Sequence, residues 1–215
     1  MEKNMTEIYI TNTNFLNSSE FFYRYFEGLP EYRQKKIMSL KNNSDRILSL
    51  GAGALIAHGL QKLGISAREA EYAFGEYGKP YLKNHPEIHF SVSHSRDMVM
   101  CAFSSAEVGC DMEFVGDCNW ALAKRYFSEK EREYILKWGS RGFFRVWTLR
   151  ESLGKTTGEG VKIMFKDLFV DMKENICVLE NKKYYFREYD FGEYVGTCCC
   201  ERSGFPDEPE FVMLK

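Results

Sequence analysis

The chain has 215 residues, 15% of them aromatic, with 29 basic against 31 acidic side chains and a formal net charge of −2. A chain of this length buries one substantial core or two small ones without staples, and its near-balanced charge rules out a global field for nucleic acid or an anionic membrane, so any anion site must be built locally. The seven cysteines include no Cys-x-x-Cys pair and support neither a disulfide framework nor a zinc site; with no basic-then-apolar leader and no apolar run long enough to span a bilayer, a soluble, cytosolic enzyme or binding protein is the default.

In chain order, residues 6 to 16 read as a first strand. After a polar and aromatic stretch, the spacing predicts a helix from Glu31 to Leu40, where the basic residues Arg33, Lys35, Lys36 and Lys41 collect. From Asp45 to Leu63 apolar residues recur at helical spacing, with Asn42, Asn43 and Ser44 as caps and Gly64 as a stop. Gly51 and Gly53 inside this helix cost roughly 1 kcal/mol each in propensity, which points to close approach of another backbone. Turn signals at Gly75 and Gly78-Lys79-Pro80 precede a strand pair, Ile88 to Val92 and Val99 to Phe103, and a further strand from Val108 to Val115. Ser128-Glu129-Lys130-Glu131 is a capping box opening a helix to about Trp138. A second helix runs from Phe143 to Thr157 and is ended by Gly158 and Gly160. Strands are expected at Asp167 to Asp171, Ile176 to Leu179, Tyr184 to Tyr189 and Tyr194 to Cys200. Adjacent cysteines at 198 to 200 project to opposite faces of such a strand, so they read as packing residues.

A long helix precedes each of two strand pairs, and His89-Phe90 before Met98-Val99-Met100-Cys101 resembles Tyr185-Phe186 before Tyr194-Val195-Gly196-Thr197. The pattern fits an α+β fold of two similar lobes, residues 1–108 and 109–215, joined near residues 104 to 110.

The chemistry concentrates in three ordered segments. Asp111 and Glu113 are two apart on a strand, so both carboxylates leave one face. Glu151 and Lys155 are four apart on a helix and share a face there. If these elements meet, three carboxylates and one ammonium converge, a set of hard oxygen ligands suited to Mg²⁺ held together with a phosphorylated substrate. Singly, Asp-x-Glu is also a common surface pattern, and Glu151 with Lys155 a common helix-stabilising pair.

Five segments in order resemble the 4′-phosphopantetheinyl transferases, and more narrowly the long, two-lobed type that activates surfactin synthetase: Gly78-Lys79-Pro80, Phe90 to Ser95, Val108 to Glu113, Phe127 to Glu131, and Trp147 to Glu151 continuing through Lys155 to Gly160. The resemblance implies a pseudo-two-fold monomer with coenzyme A in the cleft between the lobes. It implies transfer of the phosphopantetheine arm to a serine of an apo acyl or peptidyl carrier protein. By motif match, Asp111, Glu113 and Glu151 would hold Mg²⁺, or Mn²⁺, against the coenzyme A diphosphate, with Lys155 beside it and Glu151 taking the serine proton. Lys79, Ser93 and His94 would line the nucleotide site, and Arg33, Lys36 and Arg46 match basic positions near the 3′-phosphate. Arg150 stands where lysine is common, and Cys110 and Met112 replace branched aliphatics.

Plainer readings stand beside these: His94 as a satisfied turn histidine, Lys79 as a solvated turn lysine, and the Arg33 to Lys41 cluster as a wet helix face. Trp147 reads as a buried structural aromatic. From Val115 to Phe127, Trp120, Leu122, Tyr126 and Phe127 lie among Lys124 and Arg125, which suits either docking of an acidic carrier or one more core helix. Two other functions fit parts of the pattern: another Mg²⁺-dependent phosphohydrolase or nucleotidyl enzyme, or a catalytically silent module that holds coenzyme A or a carrier.

Overall fold

The computed structural model describes residues 5–166, 168 and 170–214. Its strands form two main sheets and one small hairpin. The first sheet orders β1 (Glu7–Asn12), β4 (His89–Ser95), β5 (Met98–Ser104) and β11 (Glu210–Phe211) as β11-β1-β5-β4; its pairings are antiparallel except that of β11 with β1. The second orders β6 (Val108–Phe114), β7 (Val170–Asp171), β8 (Ile176–Leu179), β9 (Lys182–Asp190) and β10 (Tyr194–Cys200) as β6-β10-β9-β8-β7, all antiparallel. The hairpin pairs β2 (Tyr72–Phe74) with β3 (Pro80–Leu82).

Period-2 alternation with apolar residues on both faces explains the layering. Tyr9, Val99, Cys101 and Phe103 face α3 (Asn43–Lys62) and its Leu55 and Leu60. The alternate residues Ile8, Ile10, Met100 and Ala102 turn the other way and pack against Cys110, Met112, Cys198 and Cys200 of the second sheet. That sheet presents Phe186 and Cys199 to Val146, Leu149 and Leu153 of α5 (Glu129–Thr157). Cys198 and Cys200 thus lie on one face and Cys199 on the other, and all seven cysteines are free thiols.

The glycines in α3 are crowded by side chains, not by the backbone expected there. A Cβ at Gly51 would lie 2.5 Å from the Thr13 side chain, and one at Gly53 2.7 Å from Leu29. α5 begins in a complete capping box, Ser128 with Glu131, and ends at Gly158 in the left-handed conformation with φ 76°. The two helices expected here both form and meet at Gly139, whose φ of 61° and ψ of −146° are open only to glycine; α5 denotes the pair.

Three elements differ from the sequence expectation. The first strand stops at Asn12 because Asn12 and Asn14 both donate to the Asp97 carboxylate at 2.8 Å, which turns the chain into a 3₁₀ segment, Asn14–Asn17. The aromatic stretch after it is a helix, α1 (Ser19–Phe26), laying Phe21, Phe22 and Phe26 over the cluster of Leu29, Ile37 and Leu50 with α2 (Glu31–Ser39). The turn at Gly78 belongs to the β2–β3 hairpin. Of the strand expected at Asp167 to Asp171, Val170–Asp171 forms, while Asp167 and Phe169 lie outside the described residues. The patch around Trp120 forms α4 (Trp120–Tyr126), capped by the Asn119 side chain. Among the described residues no helix is long and apolar enough to cross a membrane.

Candidate active site

The edges of the two sheets, β4 and β6, are joined by side chains. Ser91, Ser93 and Ser95 alternate along β4 and all reach β6. Ser91 Oγ accepts the Cys110 amide at 3.0 Å; Ser93 Oγ donates to Asp111 Oδ1 at 2.7 Å; Ser95 Oγ accepts the Phe114 amide at 3.0 Å and donates to Glu113 Oε2 at 2.9 Å. Of the three, Ser93 alone is a site residue by motif match, while the period-2 spacing of the serines signals that all three share its face.

Behind β6 lies α5, and Gly109 permits the approach. A Cβ there would stand 2.5 Å from the Thr156 amide nitrogen and closer still to the Ser152 carbonyl oxygen. Thr148 and Thr197 share a hydrogen bond of 2.9 Å between helix and sheet, and Thr156 Oγ1 donates to the Cys199 carbonyl at 3.1 Å. This tight seat delivers Lys155 to the sheet edge. Its Nζ donates to Asp111 Oδ1 at 2.8 Å and to Ser93 Oγ at 2.9 Å. Burial opposes the ammonium charge, but Asp111, Cys110 and Glu151 together outweigh it and hold Lys155 above its ordinary value.

Asp111 is 4% exposed, and its second oxygen, Oδ2, is buried with no hydrogen-bond partner. Glu113 is pushed up to about 7, first by burial and then by the Asp111 charge, against the Ser95 hydrogen bond. Burial and Asp111 also raise Glu151, against Lys155. Carboxylates that raise one another's affinity for protons are short of positive charge. Among the described residues, no three histidine, cysteine or acidic groups stand close enough to enclose a metal ion as they are arranged; the ammonium of Lys155 sits on Asp111 instead.

The expected phosphate cluster is divided. Arg33 is 8% exposed with its Nε buried and unpartnered, beside Gly53. Lys36 is held low by burial and by Arg33. His94 keeps a solvent-exposed edge; the crowding around its ring, then the charges of Lys155, Arg33 and Lys36, hold it below the usual imidazole value. These three basic groups therefore share one field with Lys155. Arg46 stands elsewhere, donating Nε to the Leu40 carbonyl at 2.7 Å and lining a groove with Phe22, Tyr23 and Met38. Lys35 pairs with Glu31 on an exposed helix face.

Lys79 lines a cavity of about 410 Å³ together with Tyr77, Tyr81, Glu107 and Gly158, but its ammonium points into the protein, with three partners there. Arg150 is 1% exposed and makes a bidentate pair with Glu131, both contacts 2.8 Å, so the residue before Glu151 is tied to the capping box at the start of α5. Trp147 is half-buried and stacked on Phe143 at 6.0 Å between centroids.

Residues 107–199 match the sequence model of the 4′-phosphopantetheinyl transferase superfamily. The 4′-phosphopantetheinyl transferase gsp of Aneurinibacillus migulanus is 30% identical over 177 residues, covering 78% of this chain and 74% of the relative. The 4′-phosphopantetheinyl transferase Sfp of Bacillus subtilis (strain 168) is 27% identical over 155 residues, 68% of each chain. A solved holo-(acyl-carrier-protein) synthase from Bacillus anthracis in complex with CoA (3′,5′-ADP) overlaps 46% of this chain and 92% of that one at 22% identity, with a TM-score of 0.37, a likeness too slight to fix the fold. Identity at this level, sustained over 74% of the gsp relative, together with the family model's match to the segment that carries Asp111, Glu113, Glu151 and Lys155, places the chain in the 4′-phosphopantetheinyl transferase superfamily.

Proposed function

We propose that the protein transfers the 4′-phosphopantetheine group of coenzyme A to a serine of an acyl or peptidyl carrier protein and releases 3′,5′-ADP. The observation that carries this reading is the junction of Asp111, Ser93 and Lys155, where one edge of each sheet and the end of α5 meet around a carboxylate with a bare buried oxygen.

In this reading the serine Oγ forms a bond to the β-phosphorus of coenzyme A as the bond to the bridging oxygen breaks, and the leaving 3′,5′-ADP carries away the electron pair. The protein's task is to position the diphosphate and neutralise the charge that grows on it. Lys155 supplies a point charge there, turning from Asp111 towards the diphosphate. Arg33, Lys36 and His94 read the 3′-phosphate, an anion that would satisfy the unpartnered Arg33 Nε; Arg46, in the groove beside Met38, is peripheral to them. Glu151, with its raised carboxyl, takes the serine proton.

Asp111, Glu113 and Glu151 would together hold a divalent cation, Mg²⁺ or Mn²⁺. The donor set fits a hard ion, since Asp111 Oδ2 lacks a partner and both glutamates are raised, first by burial and then by the Asp111 charge. When bound, such an ion adds charge neutralisation at the diphosphate. The same reading divides the chain into lobes at 1–108 and 109–215 related by a pseudo-two-fold axis, with the C-terminal residues returning to the first sheet. It gives the 115–127 segment, with Lys124 and Arg125, the role of docking an acidic carrier to a monomeric, cytoplasmic enzyme.

The experiment is to incubate the protein with coenzyme A, Mg²⁺ and an apo carrier and to weigh the carrier by mass spectrometry. A carrier heavier by one phosphopantetheine group supports the reading. Breakdown of coenzyme A with an unchanged carrier points to a phosphohydrolase, and binding without turnover to a silent module.

A further inference from the structure

The last turn of a helix leaves carbonyl oxygens without intrahelical partners, and a cation placed there is stabilised by the helix dipole. In α5 that turn holds Lys155, and the carbonyl of the next residue is met by a lysine from the β2–β3 hairpin. Lys79 Nζ donates to Thr156 O at 3.1 Å, to Val108 O at 3.2 Å and to Glu107 Oε2 at 2.6 Å. An ammonium has three donors, and all three are used inside the protein. Glu107 is held from the other side by His89, whose Nδ1 stands 3.1 Å from Oε1. Burial raises the Glu107 carboxyl, but hydrogen bonds from His89 and Lys79 outweigh it and hold it at about 2.

The placement matters because of what the three partners belong to. Val108 opens β6, the strand that carries Asp111, and Thr156 closes α5, the helix that carries Lys155. The 2.8 Å contact between Asp111 and Lys155 depends on the relative placement of these two elements. Lys79 ties one to the other, and ties both to a hairpin beside the first sheet. The side chain is 20% exposed and its charge is committed to the protein, although its stem lines the cavity.

We propose that Lys79 is a positioning residue: by pinning the final turn of α5 to the start of β6 it fixes Lys155 and Glu151 relative to Asp111, and its ammonium makes no contact with the ligand. This rests on the reading of Asp111 and Lys155 as the reacting site.

The test is Lys79→Met, which keeps the apolar stem and removes the charge, compared with wild type for transfer kinetics, calorimetric coenzyme A affinity in Mg²⁺, and amide hydrogen exchange of residues 155 to 158. A misplacement of the catalytic side chains by about 1 Å lowers kcat by roughly 10- to 100-fold. Coenzyme A affinity stays within about 3-fold, and the last-turn amides exchange about 10-fold faster. Glu107→Gln, which keeps the lysine and weakens its shortest contact, shows the same pattern in smaller degree and serves if Lys79→Met does not fold. A coenzyme A affinity weakened by more than about 10-fold at unchanged kcat would show that the ammonium touches the nucleotide and would overturn the proposal. Unchanged kcat and exchange would overturn it equally. Lys155→Ala, measured in parallel, separates the two readings. If it transfers at the wild-type rate, the site assignment falls and the proposal with it; if it is crippled while Lys79→Met is normal, the positioning role alone falls.

Discussion

Gly109→Ala tests the seat of α5 more directly than removal of any charged group, because it adds one methyl and alters no chemistry. The new Cβ would lie 2.5 Å from the Thr156 amide nitrogen, 2.7 Å from Thr156 Oγ1 and closer still to the Ser152 carbonyl. Two of these are helix backbone atoms, which no rotamer change can move aside. The helix must therefore back away from β6 by roughly 1 Å to restore van der Waals contact. Overpacking of this kind costs about 1–3 kcal/mol, and it stretches the Thr156 to Cys199 and Thr148 to Thr197 bonds that seat the helix. A shift of about 1 Å at Lys155 and Glu151 lowers kcat by up to about 100-fold. Urea unfolding gives the first quantity and transfer kinetics at saturating coenzyme A the second. A folded Gly109→Ala protein with wild-type kcat would refute the claim that the helix–strand distance sets the site.

Arg150→Met leaves Glu131 buried with its bidentate partner gone, so the unfolding free energy should fall by about 3–5 kcal/mol in urea titrations, and the double variant with Glu131→Gln should recover part of that loss. Asp111→Asn and Glu151→Ala should each remove about 3–4 kcal/mol of transition-state stabilisation, two to three decades in kcat, with melting temperatures little changed. Chelation by EDTA should stop transfer in the wild type and readdition of Mg²⁺ restore it; full activity in EDTA would remove the cation from the reading. Glu107 is held at about 2 against an ordinary 4.5, so the stability it contributes is complete above pH 4.5 and is lost as the pH falls towards 2. Glu107→Gln should flatten the acid limb of a melting-temperature series over that window, and parallel limbs would show that the pairing with Lys79 and His89 does not stabilise the fold. Lys124→Glu and Arg125→Glu, in the last turn of α4, should raise the KM for the carrier and flatten its salt dependence at saturating coenzyme A; an unchanged KM would move the docking surface elsewhere.

Several structural features follow from local pattern alone. The Ser128 and Glu131 capping box, the close approaches at Gly51 and Gly53, the opposite faces of the three consecutive cysteines and the shared face of Asp111 and Glu113 depend on residue type and on periods of 2 or 3.6 residues. Both halves of the candidate site were legible for that reason, and five ordered motifs sufficed to assign the family. The missing pieces have no local signal. α1 is an aromatic helix that folds over Leu29 and Leu50 from outside, and β11 is two residues long and exists only because β1 offers an edge.

What tertiary structure decided was the placement of charge. Nothing in the order of residues 33, 36 and 46 separates them, yet the fold groups Arg33 and Lys36 with His94 and turns Arg46 to another groove. Lys79 and Lys155 are both lysines beside glycine-bearing turns; one is directed to helix-end carbonyls and the other to Asp111 because α5 meets β6 at Gly109. Sequence fixes which groups are available and the face each occupies, since these depend on torsions within an element. Which ammonium meets which carboxylate depends on distances between elements far apart in the chain, and those are set by the packing of two sheets and two long helices.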